Sequence, residues 1–262
     1  MRKLLKYDLK SIWPIWRIMA PVALIITVLT CLGIKYIPNY ESETETVADV
    51  LGYLAVSVFT ALMVFVLAAL VTVTSILILY RYYKNFFTDE GYLTFTLPVT
   101  RDQLLWSKII NAFIWEIATF LAVTVCGTAI LLILGSDILQ ELISGIGEIA
   151  EYLFTNSGVY VIEAVLLLAF SALGSLLLGY LCITIGSVVA KKQKLLASIG
   201  LYLLGSYIVS GITQIIFITV LATLTPTSLH LSLIMLILIN AGLCAAYYFI
   251  NRSLLTNKLN LP

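Results

Sequence analysis

Six long apolar runs decide what this chain can fold into. They cover roughly residues 15–34, 50–80, 109–134, 159–185, 195–224 and 231–250. About 20 apolar residues in a helix span the hydrocarbon core of a bilayer, and each run reaches that length. Water could not solvate such a chain once folded. It is 61% hydrophobic and 11% charged, where soluble domains are about 45–50% apolar and about 25% charged. A membrane β-barrel would show short segments of alternating polarity, not long continuous runs. The expectation is an all-α membrane protein: six transmembrane helices in a single transmembrane domain over residues 1–262, in contact with a lipid bilayer.

Charge placement supplies an orientation. With the N-terminus in the cytoplasm, the inner segments hold Arg2, Lys3, Lys6, Lys10, Arg17, Arg81, Lys84, Arg101, Lys108, Lys191, Lys192, Lys194, Arg252 and Lys258. Of the 15 basic residues only Lys35 falls outside. The outer segments hold Glu41, Glu43, Glu45, Asp49, Asp137, Glu141, Glu148 and Glu151. Basic residues collect on the cytoplasmic side of membrane proteins, so both termini are expected inside.

The N-terminal segment 2–13 sets Arg2, Lys3, Lys6 and Lys10 against Leu4, Leu5, Leu9, Ile12 and Trp13 at helical spacing. That pattern fits a retained amphipathic helix in the interface of an anionic leaflet, with the chain turning at Pro14; the alternative is a cytoplasmic extension of the first span. Trp13 and Trp16 suit the headgroup level. The second run, at about 1.5 Å per residue, measures some 46 Å, so it must tilt or project toward Arg81. Residues 135–157 place Ile138, Leu142, Ile146, Ile149 and Leu153 at helical spacing among acids, as in an amphipathic segment on the outer surface. Cys31, Cys126, Cys182 and Cys244 are far apart inside apolar runs, where cysteine behaves as a small hydrophobe.

The longest polar interruption is Arg81–Lys108, RYYKNFFTDEGYLTFTLPVTRDQLLWSK. Thr88 can cap a helix whose first turn holds Asp89 and Glu90. Gly91 weakens that helix and Pro98 ends it, leaving two turns or so. Thr100-Arg101-Asp102-Gln103 fits the capping box, so a second helix starts there and enters the third span. The short helix carries Tyr92, Leu93, Phe95 and Leu97, preceded by Phe86 and Phe87. So much apolar surface in a polar segment means membrane contact, packing under another element, or a protein partner. Asp89 and Glu90 would face an anionic leaflet unfavourably, which points to a partner with a receiving groove.

On Asp89-Glu90-Gly91-Tyr92-Leu93, Thr96-Leu97-Pro98 and Ser107-Lys108, this stretch resembles the first cytoplasmic loop of permease subunits of the bacterial type-two ATP-binding-cassette (ABC) exporter class. The six spans and the basic N-terminal helix also agree with that class; the sizeable outer segment 135–157 departs from it. The resemblance implies a coupling loop at 81–108. Asp89, Glu90, Gly91, Tyr92, Leu93, Phe95, Leu97 and Pro98 would then bind a separate ABC ATPase subunit. It further implies a second permease subunit, identical or related, and residence in the bacterial cytoplasmic membrane. ATP and Mg would be bound by the partner subunit, with no cofactor on this chain and no nucleic-acid partner.

The chain lacks the Gly-x-x-x-x-Gly-Lys-Ser/Thr pattern that cradles nucleotide phosphates, so no catalytic or metal residue is assigned. His230, the only histidine, reads as a solvated residue in a tight turn, TPTSLH. Glu116, Glu163 and Gln214 lie within the spans, where polar groups are costly and become pathway candidates. Glu116 can pair with a cytoplasmic-side base or act in transport. Glu163 can reach the interface, and Gln214 fits hydrogen bonding between helices. Small residues at Ser171, Ser175 and Gly179, and at Ser206 and Ser210, let helices approach, either within the subunit, at a dimer face or as pathway lining. Two other classes share this topology: a non-transport immunity or sensor component, and an ion-coupled secondary transporter. The orientation is testable: a cysteine introduced at Glu43 should react with a membrane-impermeant maleimide from outside the cell, and reaction only from the cytoplasm would invert the topology.

Overall fold

The computed structural model describes residues 2–36, 47–96, 98–134, 159–190, 193–221 and 226–257. Among them every regular element is a helix: α1 (Arg2–Tyr36), α2 (Val47–Phe87), α3 (Glu90–Phe95), α4 (Arg101–Leu134), α5 (Val159–Val189), α6 (Lys194–Leu221) and α7 (Pro226–Asn257). Six of the seven are long and apolar enough to cross a bilayer, which makes this an all-α, multi-pass membrane protein. The outer segment expected at 135–157 and the lysines at 191 and 192 lie outside the described residues.

The helices overrun the apolar runs. The chain does not turn at Pro14: α1 continues through Pro14 and Pro21 to Tyr36. The N-terminal segment is therefore an extension of the first span. Each proline removes one backbone donor, yet membrane helices tolerate this where neighbours and side chains serve the freed carbonyls. The two-faced pattern persists, with Lys6 and Lys10 exposed and Ile12 buried. Asp8, one turn before Ile12, is buried with it. At its other end α2 takes in Arg81–Phe87, so the first seven residues of the polar stretch are helix. α7 begins at Pro226 rather than near Leu231. Proline is well suited to the first position of a helix, where no backbone donor is needed.

The described helices fall into two compact groups. One contains α1 from Lys6, α2 up to Leu77 and α4 from Ile114. Its core is Ala23, Leu70 and Cys126, ringed by Met19, Ala20, Leu24, Val66, Leu67, Ala122 and Val123. Trp13, Trp16 and Trp115 cluster at 5.4–6.3 Å between ring centroids, and the Trp16 indole donates to Thr119 Oγ1 at 3.2 Å. Thr30 Oγ1 stands 2.8 Å from the carbonyl of Ile26 and 3.2 Å from that of Phe59, which joins α1 to α2.

The second group contains the end of α2 from Ile78, α3, the start of α4 and all of α5, α6 and α7. α5 packs along both α6 and α7, while α6 and α7 meet more lightly. Small residues set the approach. A Cβ on Gly186 of α5 would lie 2.8 Å from the backbone N and Cα of Ser198 on α6, closer than carbon atoms pack. α5 and α7 run parallel and in register. Glu163 pairs with His230, and Thr184 with Asn251, at the same sequence offset of 67. From 163 to 184 on α5 and from 230 to 251 on α7, the two ties stand 21 residues apart, about 32 Å along a helix. That is one hydrocarbon thickness, about 30 Å, so a polar tie joins α5 to α7 at each end of a membrane-deep packing face.

Gly186→Leu should lower the unfolding midpoint of the detergent-solubilised chain by the equivalent of about 1–3 kcal/mol, the usual cost of overpacking. At Gly200 and Gly211 an added Cβ meets nothing. There Gly→Ala should be neutral or raise stability by up to about 1 kcal/mol. Thermal unfolding followed by size-exclusion chromatography separates the two outcomes.

Candidate functional site: the junction between α2 and α4

The candidate site is mounted on the last turns of α2. Tyr82 and Phe86 are almost wholly buried, and Phe87 is buried beside them. Tyr82 stacks on Tyr180 of α5 with 4.0 Å between centroids and 17° between planes, and it lies 4.9 Å from Phe86. The Tyr82 hydroxyl reaches a polar node: it is 3.1 Å from Thr184 Oγ1 and 3.2 Å from Asn251 Oδ1. Thr184 Oγ1 is 2.7 Å from that same Asn251 oxygen. Three helices thus share one cluster of three oxygens, with two hydroxyl protons between them. Tyr180 adds α4, donating to the carbonyl of Lys108 at 3.3 Å.

α2 ends at Phe87, and Thr88 and Asp89 make the turn into α3. The expected cap at Thr88 works in the other direction. Its hydroxyl donates to the carbonyl of Lys84 at 2.5 Å, closing α2, while its own carbonyl accepts the Gly91 N–H at 2.7 Å. The reason is local: α2 runs on to Phe87, so Thr88 sits one turn past Lys84 and takes the i−4 carbonyl within reach. α3 is then anchored from below. Phe95 packs on Phe86 at 5.5 Å, and Glu90 pairs with Lys84 of α2 at 2.9 Å.

Past Pro98, which is exposed, the capping box forms as its spacing requires. The Gln103 N–H donates to Thr100 Oγ1 at 3.3 Å, and the Thr100 N–H donates to Gln103 Oε1 at 3.2 Å. The first turn of α4 is also tied to the last turn of α7. Arg101 donates through one guanidinium nitrogen to the carbonyls of Leu255 and Thr256 at 2.8 and 2.7 Å. A helix C-terminus leaves carbonyls without intrahelical partners and carries partial negative charge, so an arginine here satisfies both. One residue on, Asp102 takes Arg252 in a two-pronged pair at 2.7 and 2.8 Å, and the Tyr248 hydroxyl donates to the same carboxylate at 3.4 Å. Trp106 packs on Tyr248 at 5.6 Å.

The residues expected to bind a partner divide accordingly. Asp89 and Pro98 are exposed, Glu90 is half-buried and ion-paired, and Gly91 is buried in the first turn of α3. Tyr92 and Leu93 lie on α3, with side chains outside the described residues, as is Leu97. Phe95 faces the α2 aromatics. Phe86 and Phe87, read from the sequence as loop surface, are core instead. Their extra aromatic area belongs to the mount of α3, not to its free face.

The intramembrane candidates are not brought together. Glu116 is half-buried on α4 and carries no ion pair among the described residues. Gln214 is exposed on α6, with no interhelical hydrogen bond among the described residues. Glu163 is 6% exposed and engages His230, whose Nδ1 stands 3.1 Å from both carboxylate oxygens. His230 is therefore a helical residue with a buried partner, not a solvated loop residue. The sequence signal that would have found it is Pro226, a residue type suited to the first turn of a helix, where α7 starts. Among the described residues no group of three or more His, Cys, Asp or Glu could hold a metal ion. The hydroxyls of Ser171, Ser175, Ser206 and Ser210 turn back onto carbonyls of their own helices at 2.8–3.1 Å. No family model, curated protein or solved structure matches the chain.

What the arrangement offers is a mechanical connection. Asn251, fully buried, is its centre. Asn251→Leu should cost about 1–3 kcal/mol, because Thr184 and Tyr82 lose a buried acceptor. A double-mutant cycle on the more exposed Asp102–Arg252 pair should return under about 1 kcal/mol. Unfolding midpoints in one detergent test both values.

Proposed function

We propose that this chain is the membrane-spanning permease subunit of an ABC transporter, acting as an exporter in the bacterial cytoplasmic membrane. A separate ATPase subunit binds ATP and Mg and docks on α3, the coupling helix. A second permease subunit, identical or related, completes the pathway. The observation that carries this reading is the mounting of α3. It is a six-residue helix clamped to the end of α2 by Phe86–Phe95 and Lys84–Glu90 and followed at once by a capped α4. α4 in turn holds the end of α7 through Arg101 and Asp102. A force applied to α3 by an ATPase that closes on ATP passes directly into three membrane-spanning helices. The motif resemblance at Asp89–Pro98 supports the same assignment.

On this reading the exposed Asp89, Thr96 and Pro98, with Glu90 and Tyr92, meet the ATPase cleft. The buried aromatics beneath keep α3 from yielding under load. Orientation follows the charge asymmetry, with α3 and both termini in the cytoplasm.

Glu90→Ala and Tyr92→Ala should each lower ATPase recruitment or coupled turnover by about tenfold, equivalent to 1.4 kcal/mol, with membrane insertion intact. Lys84→Ala breaks the same intrachain ion pair from the α2 side and should stay within about twofold of the native chain, because an exposed pair contributes little. Native turnover in both Glu90→Ala and Tyr92→Ala complexes would refute the docking role. Failure of any ATPase to co-purify in stoichiometric amount would refute the permease assignment itself.

A further inference from the structure

Glu163 and His230 do nothing for the junction just described. They sit at the far end of α5 and α7, one membrane thickness from the Thr184–Asn251 node. The Glu163 carboxylate is buried, and His230 Nδ1 faces both its oxygens at 3.1 Å. The imidazole lies flat on Tyr160, with 3.7 Å between centroids and 13° between planes. A charged imidazole gains from both neighbours: the carboxylate by charge-assisted hydrogen bonding, the tyrosine face by cation–π attraction. The His230 side chain is 30% exposed, so protons can reach it while the carboxylate stays covered.

Three polar contacts are described along the α5–α7 seam. At the α3 end, Thr184 and Asn251 are joined by neutral groups. Midway, Cys244 Sγ donates weakly to the Phe170 carbonyl at 3.4 Å, where Gly174 lets the chains approach. Only the third contact contains a histidine, whose ordinary titration falls between pH 5 and 8. Among the described residues, the titratable group beside the pair on α5 is Tyr160. α6, which packs on both helices, carries no acid and no base beyond Lys194. Its tyrosines, Tyr202 and Tyr207, stand 14 or more residues before its end at Leu221, and Tyr207 is 80% exposed. On α7 the next titratable residues, Cys244, Tyr247 and Tyr248, lie more than three turns beyond His230.

We propose that Glu163, His230 and Tyr160 form a proton-operated latch between the ends of α5 and α7 remote from α3. With His230 protonated the ends are clamped. When pH rises through the imidazole titration, the cation is lost, a neutral hydrogen bond remains, and the ends are free to separate while the Thr184–Asn251 node holds the other end. The latch does not rest on the transporter assignment, and it would serve any function that opens this end of the bundle.

Because His230 is the only histidine, imidazole NMR of the 13C-histidine-labelled full chain in nanodiscs reads this site alone. Spin labels at Val159→Cys and Leu231→Cys, both exposed positions, report the gap between the two ends. Cys244→Ser removes the half-buried thiol while keeping a donor for Phe170. Between about pH 6 and about pH 8.5, the label distance should lengthen by about 2 Å or more, a typical helix shift, with the midpoint of the imidazole titration. E163Q and H230Q should show the alkaline distance at both pH values, and His230→Lys the acid distance at both. The proposal is overturned if the distance stays constant across the imidazole titration, if the imidazole does not titrate in this range, or if E163Q still responds. Should the variants fail to insert, the native-sequence comparison decides alone.

Discussion

A hydroxyl or amide inside a bilayer has no water to turn to, and this single constraint arranges the polar atoms of the chain. Most threonines in the spans solve it within their own helix. Thr27, Thr60, Thr72, Thr74, Thr124 and Thr213 each place the hydroxyl on the carbonyl four residues back, at 2.7–3.0 Å. Such bonds are silent: they satisfy the side chain without committing the helix to a neighbour. The informative polar groups are those that cannot be satisfied this way. Tyr82, Asn251, Glu163 and His230 are too long or too polar to close on their own helix, and each reaches another helix instead. The constraint thus turns a handful of side chains into the ties that fix helix register, while apolar packing between Leu, Ile and Val could slide by a turn at small cost.

The two kinds of end differ in construction. At the α3 end the ties are many and overlapping: an aromatic stack, a three-oxygen node, an arginine on two helix-terminal carbonyls and a carboxylate held by two partners. Losing any one leaves the others in place, so this end behaves as a block. At the far end, among the described residues, the α5–α7 seam carries the Glu163–His230 pair and the tyrosine stacked on its imidazole.

The sequence carried the spans because run length is a one-dimensional property, and the capping box at Thr100–Gln103 because its partners are three residues apart. Orientation rests on a charge count of the same local kind. What escaped was set by distance in sequence. Phe86 and Phe87 look like surface in a polar stretch; only Tyr180, far along the chain, makes their helix end a core. Thr88 has the right identity for a cap of α3, but the run of α2 to Phe87 puts the Lys84 carbonyl nearer. His230 looks like a turn residue in TPTSLH, but the helix already starts at Pro226. Glu163 stands out in the sequence for the cost of an intramembrane acid; its partner, 67 residues on, follows only from the parallel register of α5 and α7.

Gln214 carries the same reasoning one step further. It lies on an exposed face of α6 in an apolar surrounding, next to positions such as Gly211 where an added Cβ would touch nothing. Where Glu163 and Asn251 have partners on neighbouring helices, Gln214 is exposed. A lipid-facing amide costs free energy that a facing polar group would recover. The proposed second permease subunit would supply such a group if α6 faced it. α6 is fastened along α5 and only lightly to α7, and its packing therefore leaves the face that carries Gln214 open to whatever lies beside it in the membrane.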